Sequence, residues 1–269
     1  MHSSIRIKLI SIFATAILSF CFTSYKKNGQ ISSTNTFVWG GTVSHHALAN
    51  DYIEDFFKTL SNSRKIKTFF IICPSHYGLS TYEWSVANGT WKTDDGKTVQ
   101  TDLKKAQQIV SALNVDFDPQ VFTIEHGIST LTPFIHQYFP EAKIVAIAVH
   151  GEPPMNVEYA NKLYNSIKPF FTDKNRKDNF LMISTDFSHH GNQEQTKIKD
   201  ERSALFFNNI SKENWIMCGC DNRPGIYTMS RFINEKTKVD YLKYTNSFLL
   251  CNEGEDDITS YYFSLLGDI

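Results

Sequence analysis

The chain has 269 residues, of which 41% are hydrophobic, enough for one large domain with a substantial core. Its 27 Lys and Arg offset 28 Asp and Glu for a net charge of -1, which sets aside nucleic-acid binding, a function that shows a basic excess or stripe. Its 21 Phe and 12 Tyr set aside disorder beyond the termini.

The first thirty residues differ from the rest. Arg6 and Lys8 precede an uncharged apolar segment from Leu9 to Phe22, after which Ser24, Lys26, Lys27 and Asn28 return to polarity. A basic start and a short apolar core read as a signal peptide over residues 1–30, or as an N-terminal membrane anchor where it stays uncleaved. Its apolar length, about 14 residues, falls short of the roughly 20 of a spanning helix. Leu18-Ser19-Phe20-Cys21 resembles a bacterial lipobox with Phe where a small residue is expected, which makes Cys21 a candidate for lipidation. The expectation is a periplasmic or extracellular protein, exported or membrane-anchored, that meets the membrane only through this segment. Ser32 to Thr36 reads as a linker, and residues 36–269 as one domain.

Phe37 to Val43 reads as a strand closing at Ser44-His45-His46, and Leu48, Tyr52, Phe56 and Leu60 predict an amphipathic helix from Ala47 to Leu60. The apolar run Thr68 to Ile72 delivers Cys73-Pro74-Ser75-His76. Asn88-Gly89 and Asp94-Asp95-Gly96, among aromatic and β-branched residues, predict a hairpin within Trp84 to Val99. Leu103, Ala106, Ile109, Val110 and Leu113 predict a helix. Glu125-His126-Gly127 opens another through about Tyr138, and Lys143 to Val149 is an apolar strand. Asn179 to Ile183 is a buried strand that leads into Ser184-Thr185-Asp186-Phe187-Ser188-His189-His190-Gly191, at the strand-to-loop boundary where open α/β sheets bind ligands. A helix over Gln193 to Asn209, a loop holding Cys218-Gly219-Cys220-Asp221, a helical stretch from Pro224-Gly225 through Phe232, and strands at Tyr241 to Cys251 and Ile258 to Leu265 complete the chain. Apolar strands alternating with helices imply an α/β fold, a single domain with a mostly parallel central sheet flanked by helices.

Cys73, Cys218, Cys220 and Cys251 are an even set that an oxidising compartment could pair, with the pairing open. A bond within Cys218-Gly219-Cys220 would close a very tight ring, so at least one of these thiols is free, metal-bound or paired elsewhere. Of nine histidines, His45, His46, His76, His126, His189 and His190 fall in four short motifs at element ends. A lone histidine is by default a structural or surface residue, whereas four such clusters point to convergence on a metal or catalytic site. Imidazole suits zinc, copper, iron and nickel, and an added thiolate favours copper(I), zinc or iron; two histidines with Cys218 leave one position open. Asp186 is a ligand, an orienting partner for a histidine, or a helix cap. His126 beside Glu125 is a proton carrier, or a ligand ranked below His46 and His76.

In order and approximate spacing, His46-Ala47, Pro74-Ser75-His76, Glu125-His126-Gly127-Ile128, the Ser184 to Gly191 motif, Cys218-Gly219 and Tyr244-Thr245-Asn246-Ser247 resemble the Memo family, known in bacteria as AmmeMemoRadiSam system protein B. The resemblance runs from about residue 37 onward. It implies a fold related to the class III extradiol dioxygenases, which are non-haem iron enzymes. It also implies a cleft at the strand ends that binds iron or copper, with zinc as a further candidate, through residues matching His46, His76 and Cys218. Asp186 and His189 stand close by, and with His126 they are the candidate catalytic groups. The first motif departs from the family's Pro-His-Ala-Gly-Tyr, reading His45-His46-Ala47-Leu48-Ala49, so His45 and His46 both stand as candidates for the first ligand. Three functions follow: a metal-dependent redox enzyme acting on a small molecule in the cleft, a non-catalytic metal-binding or peptide-binding adaptor, or histidines that hold loops together without metal.

Overall fold

The computed structural model describes residues 36–80, 82–150, 155–252 and 254–269. The signal or anchor segment, with Cys21, lies outside the described residues.

Strand β1 (Phe37–Val43) passes through a single 3-10 turn at Ala47–Ala49 into helix α1 (Asn50–Ser63), which returns the chain to β2 (Thr68–Pro74). Strand β3 (Trp84–Val86) joins the main sheet, while β4 (Thr90–Lys92) and β5 (Thr98–Gln100) close a separate hairpin around Asp94-Asp95-Gly96. Helices α2 (Leu103–Leu113), α3 (His126–Ser129) and α4 (Thr132–Tyr138) precede β6 (Lys143–Val149), and α5 (Val157–Ile167) precedes β7 (Asn179–Ser184). Then come β8 (Phe187–Gly191), α6 (Gln193–Asn208), α7 (Arg223–Ser230), β9 (Thr237–Asn246), α8 (Ser247–Cys251) and β10 (Ile258–Asp268).

The eight-stranded sheet runs β3-β6-β2-β7-β1-β10-β8, with β9 on β10. β6, β2, β7 and β1 are parallel neighbours; β3, β8, β9 and β10 pair antiparallel. The sheet is therefore mixed rather than mostly parallel. The reason lies in the connections: α1 and α5 are crossover helices that carry the chain back so that β1 and β2, and β6 and β7, run in the same direction, each pair one strand apart, whereas the short excursion through α8 can only return β10 antiparallel to β9.

Side chains alternate across the sheet into two apolar clusters. Phe69, Ile71 and Cys73 of β2 meet Ile53, Phe56, Phe57 and Leu60 of α1 on one face. Phe70 and Ile72 meet Ala106, Ile109 and Val110 of α2 and Ile226 and Met229 of α7 on the other. Truncating one of these fully buried Phe residues to Ala costs about 3–5 kcal/mol.

Three local expectations are corrected. The helix expected from Glu125 through Tyr138 is broken into α3 and α4, the second restarting with a proline in its first turn. Trp84 to Val86 is not a hairpin arm but pairs with β6. The residues after Asp186 form strand β8 rather than a loop. Cys73, Cys218 and Cys220 are free, the first two buried, and Cys251 is exposed. Among the described residues no helix is long and apolar enough to cross a membrane.

Candidate metal centre

Three adjacent parallel strands, β2, β7 and β1, end at the same edge of the sheet. Beyond their last residues stand His76, Asp186 and His45. The start of α7 is fastened to the same edge: Asn222 caps it by accepting from Gly225 N at 3.0 Å. The Asn222 amide also donates to Ile72 O at 2.8 Å and Ser184 O at 3.0 Å, the carbonyls near the ends of β2 and β7. Asp221, one residue earlier, is thereby carried over the strand ends.

His45 is 2% exposed. Its Nδ1 lies 3.0 Å from Ser184 Oγ, and that hydroxyl spends its single proton on Gly127 O at 2.6 Å. Nδ1 must therefore be the donor, which leaves Nε2 of the neutral ring with its lone pair free. His76 is held in the same sense. Its Nδ1 donates to Glu125 Oε1 at 2.7 Å, and its backbone N–H to Glu125 Oε2 at 2.9 Å. That carboxylate also accepts from Gly127 N at 2.9 Å. Gly127 has to be glycine here: a Cβ would come within 2.7 Å of Cys73 Cβ. Both imidazoles are thus oriented through Nδ1, with Nε2 presented to the cleft, the arrangement by which proteins fix metal-binding histidines.

What the two Nε2 atoms face is Asp221. Its Oδ1 accepts from Thr185 Oγ1 at 2.7 Å and Asp186 N at 3.0 Å. Its Oδ2 is buried and accepts no hydrogen bond, yet lies 3.3 Å from His45 Nε2, 3.6 Å from His76 Nε2 and 3.6 Å from His189 Nε2. His189 Nε2 is likewise buried without a hydrogen bond. These separations exceed the 2.7–2.9 Å typical of a charged hydrogen bond, so one carboxylate oxygen and three ring nitrogens converge without satisfying one another. Asp186 adds a second carboxylate, with Oδ1 accepting from Ser44 Oγ at 2.6 Å and Oδ2 3.7 Å from His45 Nε2.

The charges respond accordingly. Burial opposes a charged Asp221, but His45 and then His76 and His189 outweigh it and hold its carboxyl well below the ordinary range. Burial would depress His76, yet Asp221 and Glu125 push it up to about 9. His45 is raised as well, Asp186 and Asp221 overcoming burial. His126 goes the other way: burial, then His45 and His76, lower it. Its ring lies 4.2 Å from that of His76, centroid to centroid, and its Nδ1 3.3 Å from Tyr77 OH.

Among the described residues, two sets of ligating atoms lie within 4.8 Å of one another: His45, His76 and His126, and His45, Asp186 and Asp221. Either could hold a metal ion. Of the residues singled out by sequence, the structure brings His76, His126, Asp186 and His189 together here, and sends two elsewhere. His46 is exposed, its Nδ1 bonded to the Tyr261 hydroxyl, and His45 occupies the inward position. Cys218 is buried in the apolar cluster with Ile226 and Met229, so the His/His/Cys set gives way to a His/Asp set without a thiol. Asp221 was overlooked in the sequence, where its four-residue stretch drew attention to thiols. The signal was present in Asp221-Asn222-Arg223-Pro224, a cap followed by a first-turn proline that fixes a carboxylate at a helix start.

Residues 53–261 match the sequence profile of the family described as "Memo-like protein". His45 lies just before that stretch. Proteins named "MEMO1 family protein" are similar to this chain. The one from Caldivirga maquilingensis is 29% identical over 180 residues, 66% of this chain and 59% of its own length. The one from Sulfurisphaera tokodaii is 27% identical over 225 residues, covering 78% and 73%. The chain thus spans about three fifths of the first relative. In fold, it is similar to the crystal structure of an uncharacterized protein from Escherichia coli K12, with a TM-score of 0.54 at 11% identity over 83% of this chain and 98% of that one.

Proposed function

The chain belongs to the Memo-like family, and on that premise we propose that it is a metal-dependent redox protein whose ion is held by His45, His76, His189 and Asp221. The observation that carries the reading is Asp221 Oδ2, an acceptor shut away from water with three imidazole Nε2 atoms around it and no hydrogen bond. A buried anion in such a place is stable only with a cation, either protons on the rings or a metal ion. The Nδ1 bonds of His45 and His76 favour the metal, because they prepare Nε2 as a ligand.

Nitrogen and carboxylate donors fit iron(II) or zinc, and the absence of a thiol from the set removes the argument for copper(I). The set is one histidine richer than the two-histidine, one-carboxylate pattern of non-haem iron oxygenases but shares its donor types, which is in keeping with kinship to the class III extradiol dioxygenases that the sequence motifs suggest. Bound iron(II) would supply electron transfer and activation of oxygen or substrate. The chain's own groups do the rest. Glu125 and Ser184 hold the rings, and Asp186, bonded to Ser44, keeps a second negative charge beside His45. His126, depressed by burial and by its cationic neighbours, stays neutral at the half-exposed rim and accepts a proton from a molecule in the cleft. The adaptor reading has one observation in its favour. Four protein donors would close a four-coordinate ion such as zinc and leave no place for substrate.

Elemental analysis of the chain titrated anaerobically with iron(II) and with zinc, beside His76→Ala and Asp221→Asn, tests the centre. Near-stoichiometric metal in the wild type and loss in both variants is the expected result; no metal in any of the three defeats the reading. Oxygen uptake by the iron form only in the presence of an oxidisable small molecule then separates enzyme from adaptor.

A further inference from the structure

His189 is flanked by two residues with positive φ, Ser188 at 31° and His190 at 52°. Neither is glycine, and side-chain-bearing residues hold such backbone only when their surroundings enforce it. At Ser188 the enforcement comes from α6. Ser188 Oγ donates to Asp200 Oδ1 at 2.6 Å. Asp200 is itself locked, accepting from Ser260 Oγ of β10 at 2.5 Å on the same oxygen and from Tyr244 OH of β9 at 2.6 Å on Oδ2. Tyr262 OH donates to the Asp200 carbonyl at 2.9 Å. One residue earlier, Lys199 Nζ donates to the carbonyl of His189 at 3.1 Å, and the N–H of Ser188 is taken by Gly219 O at 2.9 Å. The backbone on which His189 stands is therefore held from α6 and from the loop that carries Asp221.

We infer that Asp200 is a positioning residue for the metal centre: through Ser188 it fixes the left-handed backbone that turns His189 Nε2 toward Asp221 Oδ2. The inference rests on the reading of His189 as a ligand. Asp200 touches no metal donor, and its carboxylate is occupied by hydroxyls from three strands, β8, β9 and β10. Its effect on the centre is exerted wholly through the peptide of Ser188 and His189.

The test is cobalt(II) titration of the metal-free full chain, followed by visible absorption, for wild type, His189→Ala, Asp200→Asn, Ser188→Ala, Ser188→Gly and Tyr244→Phe, with the unfolding midpoint of each. Asp200→Asn and Ser188→Ala should each weaken cobalt binding about 10- to 100-fold, as loss of a group behind a ligand does, and shift the absorption band. Ser188→Gly, which accepts positive φ without strain, should lose less than Ser188→Ala. Tyr244→Phe removes the bond to Oδ2, the oxygen not used by Ser188, together with the bond that Asn246 Nδ2 donates to the same hydroxyl, and should lower the midpoint while leaving affinity within about twofold. If Asp200→Asn does not fold, Ser188→Ala decides. Weakened binding in His189→Ala with unchanged affinity and spectrum in Asp200→Asn and Ser188→Ala would leave Asp200 a structural residue and overturn the inference. Unchanged binding in His189→Ala would remove His189 from the centre, and the inference with it.

Discussion

Asp200 and Asp221 are each 6% exposed, yet the protein treats them in opposite ways. Asp200 meets hydroxyls on both oxygens, and burial, only partly offset by Ser188, Ser260 and Tyr244, raises its carboxyl. Asp221 is satisfied on one oxygen only and faces imidazoles with the other, which hold it ionised. Neutral donors close a buried carboxylate and turn it into a clamp; imidazoles that can give up their protons to a metal leave it open to a cation. Depth of burial does not distinguish the two, whereas the inventory of donors around each oxygen does.

The contrast can be broken most severely at Asp200. Asp200→Ala strands three hydroxyls and should cost about 3 kcal/mol in urea unfolding, with no recovery on adding metal beyond that seen in wild type. A loss under about 1 kcal/mol would show that the clamp is not holding anything. Next in size is metal itself. Zinc or iron(II) at a hundredfold excess over its dissociation constant should add about 2.7 kcal/mol, roughly 5–10 °C in the unfolding midpoint of a chain this long. Asp221→Asn should abolish that gain, and an undiminished shift in the variant would place the ion elsewhere.

A smaller effect sharpens the electrostatic half of the comparison. His76 is pushed up to about 9 in the folded chain, from about 6.5 unfolded. The folded state thus holds its proton more tightly. This contribution is fully present below about pH 6.5 and is lost as pH rises through about 9. The urea midpoint of chelator-treated protein should fall across that window, with His45, also raised, acting in the same direction. A midpoint that climbs there would contradict the charge assignment. Smallest of all is His190→Ala. Its ring and Asp257 form a pair 79% and 68% exposed, worth under about 0.5 kcal/mol and nothing in metal affinity.

Much of this was legible in sequence. β1, β2, β6 and β7 announced themselves as apolar runs, and α1, α2 and α6 by their periodicity or length, so the edge of the sheet that carries the site could be located. The final strands could be found but not their direction, since antiparallel pairing is set by the brevity of the α8 turn and not by side-chain pattern. Within the site the motifs gave the neighbourhood and left the inward side chain open between two adjacent residues. His45 and His46 are chemically identical, and only the peptide geometry after β1 sends the first toward Ser184 and the second toward Tyr261. Cys218 looked like a ligand by chemistry, while packing placed it among Ile226 and Met229. Asp221 was invisible because a loop carboxylate is ordinary until Asn222 fastens it over two strand ends.

The position of β1 has a consequence for how the protein is made. Its sheet neighbours are β7 and β10, whose residues lie some 140 and 220 positions further along, as the pairings Gly41 with Met182 and Gly41 with Leu265 show. During synthesis the strand that leads to His45 therefore waits for β7 before it gains its first neighbour, and for β10, near the end of the described chain, before it gains its second. Contacts so distant in sequence form slowly and leave apolar strands exposed meanwhile. An ion arriving early would find His76 before β1 has set His45 in place and before Asp221 has been made, so capture of metal by the growing chain should be a late event that follows the pairing of β1.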